Sequence, residues 1–267
     1  MAKRNERWIT KYGPWAVVTG ASDGIGRECA YALAERGMHV VLVARRGEVL
    51  GEIAEDLEQR CAVRTRVVPT DLGERSSFDL LARETADIEV GLLVASAGFG
   101  TSGRFIESDI ETELAMVDVN CAALMALTHH YGKRLASRRR GGIILMSSIV
   151  AFQGVPLAAD YAATKAYVQT LAEGLRPELK SYGVDVLASA PAQVRSGFAA
   201  RADMRMGTAL TPRRVARGTI RALGRRGTVR PGFMSKFLEG ALKLPRAVRT
   251  RIMNIVMSGM TAHQRAS

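Results

Sequence analysis

Six short apolar runs punctuate the chain: PWAVVTG (14–20), HVVLVA (39–44), VRTRVVP (63–69), VGLLVAS (90–96), GGIILMSS (141–148) and VDVLASAP (184–191). Their centres are β-branched and apolar at consecutive positions, as in strands buried on both faces. Segments 24–36, 48–60, 74–86, 109–138 and 159–182 lie between them and repeat their apolar residues at helical spacing. Strand and helix in alternation predict an α/β fold: a doubly wound, mostly parallel sheet with helices on both faces. A seventh strand is expected at GTVRP, 227–231.

No Pro/Gly/Ser-rich linker and no internal repeat interrupts this pattern, so one domain is expected over 1–267. The stretch 193–211 after the sixth run is longer than the about 2–6 residues usual for such connections. At the carboxyl end of a strand, such an insertion reads as a substrate lid.

With 47% hydrophobic and 24% charged residues, the composition excludes disordered and fibrous classes. Cys29, Cys61 and Cys121 are too scattered for a disulfide framework or zinc site, and His129-His130 has no partner at ligand spacing. No metal is expected. No run approaches the roughly 18 apolar residues of a membrane span, and the opening residues lack an apolar core. The expectation is a cytoplasmic, unprocessed protein.

The net charge is +12, and it is concentrated: residues 191–267 hold 16 Lys/Arg against two acids, Asp203 and Glu239. Such a surface suits a solvated face, a phosphate- or carboxylate-bearing substrate, or an anionic membrane. Nucleic acid is not expected, since no helix-turn-helix, zinc-finger or aromatic-interleaved basic pattern accompanies the charge. In 232–257, Phe233, Phe237, Leu238, Leu242, Leu244, Val248, Ile252, Ile255 and Val256 alternate with Lys236, Lys243, Arg246, Arg249 and Arg251. That basic amphipathic pattern has four uses: covering the sheet's open end, capping a pocket, extending a subunit interface, or making peripheral membrane contact.

Thr19-Gly20-Ala21-Ser22-Asp23-Gly24-Ile25-Gly26 follows the first strand and opens the first helix. Glycines let backbone approach a pyrophosphate, and a helix N-terminus supplies N–H groups and a favourable dipole. Gly20, Ser22, Asp23, Gly24, Ile25 and Gly26 are therefore candidate cofactor contacts in a Rossmann-type dinucleotide site. The second strand ends Ala44-Arg45-Arg46, with no acid to bond a ribose 2′-OH and repel a 2′-phosphate. NADP is the expected cofactor, with Arg45 as the phosphate partner.

Tyr161 and Lys165 stand four apart at the start of a helical segment, on one face. A nearby ammonium is expected to lower the phenol's pKa and suit Tyr161 to acid/base work.

The TGxxxGxG turn, the Y-x-x-x-K pair and Ser148 thirteen residues before the tyrosine together resemble the short-chain dehydrogenase/reductase family. The resemblance runs from about Pro14 to Gly232. It implies that Ser148 polarises the substrate oxygen, that the Asn120 backbone anchors a water, and that Lys165 also bonds the nicotinamide ribose. It further implies that Asp71 contacts the adenine, that Ala97 and Gly98 allow close backbone approach, and that Pro191 and Ser196 meet the nicotinamide amide. The chain departs from the family at Ala95-Ser96, where two asparagines are usual, and at Ala192, where a glycine is usual. KYGPWAVVTGASDGIGRE and ERGMHVVLVARR are similar to the hydroxysteroid dehydrogenase and very-long-chain 3-oxoacyl-CoA reductase branch. That implies an NADP(H)-dependent interconversion of a ketone and a secondary alcohol on a lipid-like, steroid-like or 3-oxoacyl substrate, by a homodimer or homotetramer. The alternative is a non-catalytic NADP(H)-binding protein acting through its basic C-terminal surface.

Overall fold

A computed structural model describes residues 2–205, 207, 209–232 and 244–265. Its sheet has seven strands in the order β3-β2-β1-β4-β5-β6-β7, and each neighbouring pair is parallel. The strands are β1 (Trp15–Thr19), β2 (His39–Ala44), β3 (Thr65–Pro69), β4 (Val90–Ala95), β5 (Gly141–Met146), β6 (Val184–Ser189) and β7 (Thr228–Val229). Every residue of β1, β4 and β5 is buried, as their uninterrupted apolar runs require.

Period-2 alternation divides these strands between two cores. On one face Ala16, Val18, Leu42 and Val94 pack against α2 (Gly24–Ala34), α3 (Gly47–Cys61) and α9 (Pro212–Ala222). On the other, Val17, Val43, Leu93 and Ile143 meet α4 (Ser76–Glu84), α6 (Leu124–Ser137) and α7 (Ala159–Lys180). The chain reverses its direction of travel across the sheet between β1 and β4, which opens a crevice at the strands' carboxyl ends.

Several elements lie outside the strand-helix alternation. An initial helix α1 (Ala2–Tyr12) is pinned to the sheet where Asp185 Oδ2 receives the Tyr12 hydroxyl at 2.5 Å and Lys11 Nζ at 2.5 Å. The long helix expected over 109–138 is instead α5 (Ile110–Val117), a π-helical turn (Asp118–Ala123) and α6. The insertion 193–211 contains a short helix α8 (Phe198–Arg201) and a parallel bridge between Val194 and Leu210.

Helix α10 (Arg246–Met260) packs Met253, Met257 and Met260 into a third apolar cluster with Val155, Ala158, Ala202 and Met204. Of the 232–257 pattern, Phe233, Lys236, Phe237, Leu238, Leu242 and Lys243 lie outside the described residues. Among the described residues, no helix is long and apolar enough to cross a membrane.

Candidate active site

At the β1–α2 turn, Gly20 and Gly24 have φ of +66° and +56°, a region glycine enters without strain. A Cβ on Gly26 would lie 2.3 Å from the Gly20 carbonyl oxygen, so only glycine lets α2 close against the strand end. Asp23 caps this helix without a side-chain bond to it; its carboxylate instead accepts from Gly197 N at 3.0 Å and ties the insertion to the glycine turn. The first N–H groups of α2 are thus left for a ligand, beside a cavity of about 1090 Å³ lined by Gly20, Ser22, Asp23, Gly24, Ile25 and Gly26.

The loop at Ala95-Ser96 is held through its backbone. Thr19 Oγ1 accepts from both Ser96 N and Ala97 N at 3.0 Å and braces this loop from the neighbouring strand. Asn120 supplies the next brace, with Oδ1 accepting from Phe99 N at 3.1 Å and Nδ2 donating to Phe99 O at 2.9 Å.

One end of the cavity is cationic. Arg45 pairs with Asp71 at 3.5 Å. Arg46, not singled out in the sequence, donates through Nη2 to Ser22 O at 3.0 Å and to Ser22 Oγ at 3.1 Å. Arg201 arrives from α8, its guanidinium 3.6 Å from the centre of the Phe99 ring. Its place in the cavity wall depends on the path of the insertion, which no local pattern reveals.

Further along the same wall stand Ser148, Tyr161 and Lys165. Ser147 and Ser148 are both buried and both line the cavity; the Ser147 hydroxyl is engaged, donating to Lys165 O at 3.1 Å, whereas the Ser148 hydroxyl bonds Tyr161. Lys165 Nζ donates to Met146 O at 3.0 Å and lies 5.8 Å from the centre of the Tyr161 ring. Burial pushes the Lys165 ammonium down to about 8. Burial also pushes the Tyr161 phenol up to about 12, against a smaller opposing pull from its hydrogen bond with Ser148. The expected lowering of the phenol by Lys165 is therefore overturned: the same enclosure that depresses the lysine's pKa raises the tyrosine's and holds it protonated. Asn120 Nδ2 also donates to Thr164 Oγ1 at 3.0 Å, and that hydroxyl donates to Tyr161 O at 2.8 Å, fixing the first turn of α7.

Pro191 and Ser196 also line the cavity, and a Cβ on Gly24 would come 3.0 Å from that of Ser196. The rest of the wall is mostly apolar, with Val150, Met204, Leu210, Ile252, Met253 and Met257, and also holds Gln153, Gln193, Arg214 and Arg249. Of the predicted residues, Asn120 is fully buried behind the wall; the others named for catalysis or cofactor binding line one space.

The family model for short chain dehydrogenases matches residues 14–206. The chain is 37% identical over 177 residues to a 7beta-hydroxysteroid dehydrogenase of Clostridium sardiniense, covering 66% of this chain and 68% of that protein. It is 31% identical to a very-long-chain 3-oxoacyl-CoA reductase of Meyerozyma guilliermondii, over 95% of this chain and 80% of the relative. A solved short-chain dehydrogenase from Sphingobium yanoikuyae, in complex with NADPH, superimposes with a TM-score of 0.78 at 27% identity, covering 86% of this chain and 94% of that one.

Proposed function

The chain belongs to the short-chain dehydrogenase family, and on that premise we propose that it interconverts a ketone and a secondary alcohol with NADP(H) as cofactor. The observation that carries this reading is the continuity of one cavity, from the glycine turn and Arg45 to Ser148, Tyr161 and Lys165.

The chain's own residues fit the cofactor. The glycine cradle and the uncapped start of α2 suit a pyrophosphate. Arg45 and Arg46 stand where a 2′-phosphate would need cations, and the relative solved with NADPH supports the same choice. When bound, the cofactor supplies or accepts the hydride. Ser148 holds the substrate oxygen by hydrogen bonding. Tyr161, protonated across the neutral range, donates its phenolic proton to the oxygen that becomes the alcohol. Lys165 would hold the cofactor's ribose, and its ammonium, 5.8 Å from the centre of the Tyr161 ring, holds positive charge near the phenol. In oxidation the same groups work in reverse.

The substrate reading is a bulky, largely apolar ketone or alcohol. The width of the cavity, its methionine-rich wall and the hydroxysteroid and 3-oxoacyl relatives all favour it. A purely non-catalytic role does not account for a serine, tyrosine and lysine gathered on the wall of one cavity. Exposed Ile106, Ile110, Leu114 and Met125 favour the homo-oligomer expectation, which light scattering tests; a monomer at micromolar concentration contradicts it.

The test of function is NADPH oxidation with a panel of bulky ketones. Wild type should turn over, and Tyr161→Phe should lose about 10²–10⁴-fold in rate while binding NADPH normally. Near-normal turnover by that variant removes Tyr161 as the acid.

A further inference from the structure

The substrate half of the cavity contains a cation that the proposed reaction does not use. Arg249 lines this half from α10 together with Val150, Ile252, Met253 and Val256, in a wall that also holds Gln153 and Arg214. Its Nη1 donates to Phe152 O at 2.8 Å, four residues beyond Ser148. Its Nε is buried and has no hydrogen-bond partner. No acid pairs with it among the described residues, whereas Arg213 and Arg217 of α9 both reach Glu35. Arg249 is half-buried, and a guanidinium held by a single carbonyl keeps donors of its fork for a ligand that enters the cavity.

We propose that Arg249 binds a carboxylate on the substrate, so that the cavity selects an amphiphile with a ketone or hydroxyl on an apolar body and an acid group at some distance from it. The fork of a guanidinium matches a carboxylate in charge and in geometry. The α10 backbone carries the cation, so this helix contributes both apolar wall and specificity. The inference rests on the ketone–alcohol reading of the site.

The test uses a series of keto acids, in which chain length separates ketone from carboxylate, and their methyl esters. Calorimetry on the wild-type protein, with and without NADP+, should find at least one acid bound roughly 10- to 100-fold more tightly than its ester. The acid-to-ester ratio of kcat/KM should fall by about 10-fold or more in Arg249→Gln, partly recover in Arg249→Lys, and stay at the wild-type value in Arg251→Gln, whose side chain is exposed. Equal binding of every acid and ester by wild type overturns the proposal without any variant, as does an unchanged ratio in Arg249→Gln. A protein that prefers the acids in calorimetry but reduces none of them keeps the carboxylate site and loses the proposed reaction. Reduction of ketones with no preference for acids does the opposite.

Discussion

Asn120 grips both polar groups of the Phe99 main chain, and Gly98 is what lets it come close enough to do so. A Cβ at residue 98 would lie 2.7 Å from Asn120 Oδ1 and 3.4 Å from Lys165 Nζ. Gly98→Ala must therefore push Asn120 off Phe99 or tilt α7. The expected outcome is a protein destabilised by about 1–3 kcal/mol, with turnover reduced more than NADPH affinity. Thermal unfolding and steady-state kinetics check it; wild-type kcat in this variant removes Asn120 from the support of the site.

The two displaced ionisations predict the pH dependence. Lys165 has its pKa depressed to about 8, so it is charged below that pH and neutral above it. Tyr161, raised to about 12, stays protonated through the same range. Reductive kcat/KM should be level well below pH 8 and fall above it as Lys165 loses its proton. The oxidative direction needs the phenolate and should gain with pH until the same loss sets in. In Lys165→Met the reductive limb near pH 8 should vanish along with most of the rate. A limb that persists there belongs to another group.

Arg45 and Arg46 carry the cofactor prediction. Both line the cationic end, and Arg46 also clamps Ser22 in the phosphate turn. A charged contact to a phosphate is worth about 1.5–3 kcal/mol when enclosed and about 1 kcal/mol or less at exposed side chains such as Arg45 and Arg46. Fluorescence titration should show NADPH bound more tightly than NADH by wild type, and the Arg45→Ala, Arg46→Ala double variant should weaken NADPH by about 10- to 100-fold with little change for NADH. A wild type that prefers NADH ends this reading.

The sheet was legible because strands buried on both faces must be apolar at consecutive positions, and the chain offers six apolar runs in order; the seventh strand, Thr228–Val229, is short and half-buried. The glycine turn and the Tyr161–Lys165 pair were legible because local spacing sets their geometry. Helix α1 was not, since its polar sequence is stabilised by Trp8, Ile9 and Tyr12 packing on a distant part of the fold. The π-helical turn at Asn120, the clamp of Arg46 on Ser22 and the arrival of Arg201 beside Phe99 depend on contacts between remote segments. The phenol's pKa was misjudged for a related reason: sequence spacing shows that a lysine is near but not how completely both groups are enclosed.

Helix α10 is attached to the rest of the chain mainly through apolar contacts and a few polar ties to the insertion. Met257 is buried against Ala202 and Met204, and Arg205 N donates to Met260 O at 3.0 Å. His263 Nε2 lies 2.9 Å from Asp203 Oδ1, and Gln264 Nε2 donates to Asp203 O at 2.8 Å. If the helix and the insertion together close the substrate half of the cavity, a charge at Met257 should part them while leaving the distant glycine turn intact, because a buried carboxylate without a partner is strongly unfavourable. Met257→Asp is therefore expected to lower kcat/KM for a bulky ketone by about 10-fold or more, with a smaller loss for a compact ketone that needs less of the wall. Affinity for NADPH should stay within about twofold, since Met257 packs with Ala202 and Met204 and the glycine turn is not part of that cluster. Unchanged kinetics with both ketones would show that α10 merely covers the open end of the sheet. A parallel collapse of NADPH binding would mean that the helix supports the whole crevice rather than its substrate half.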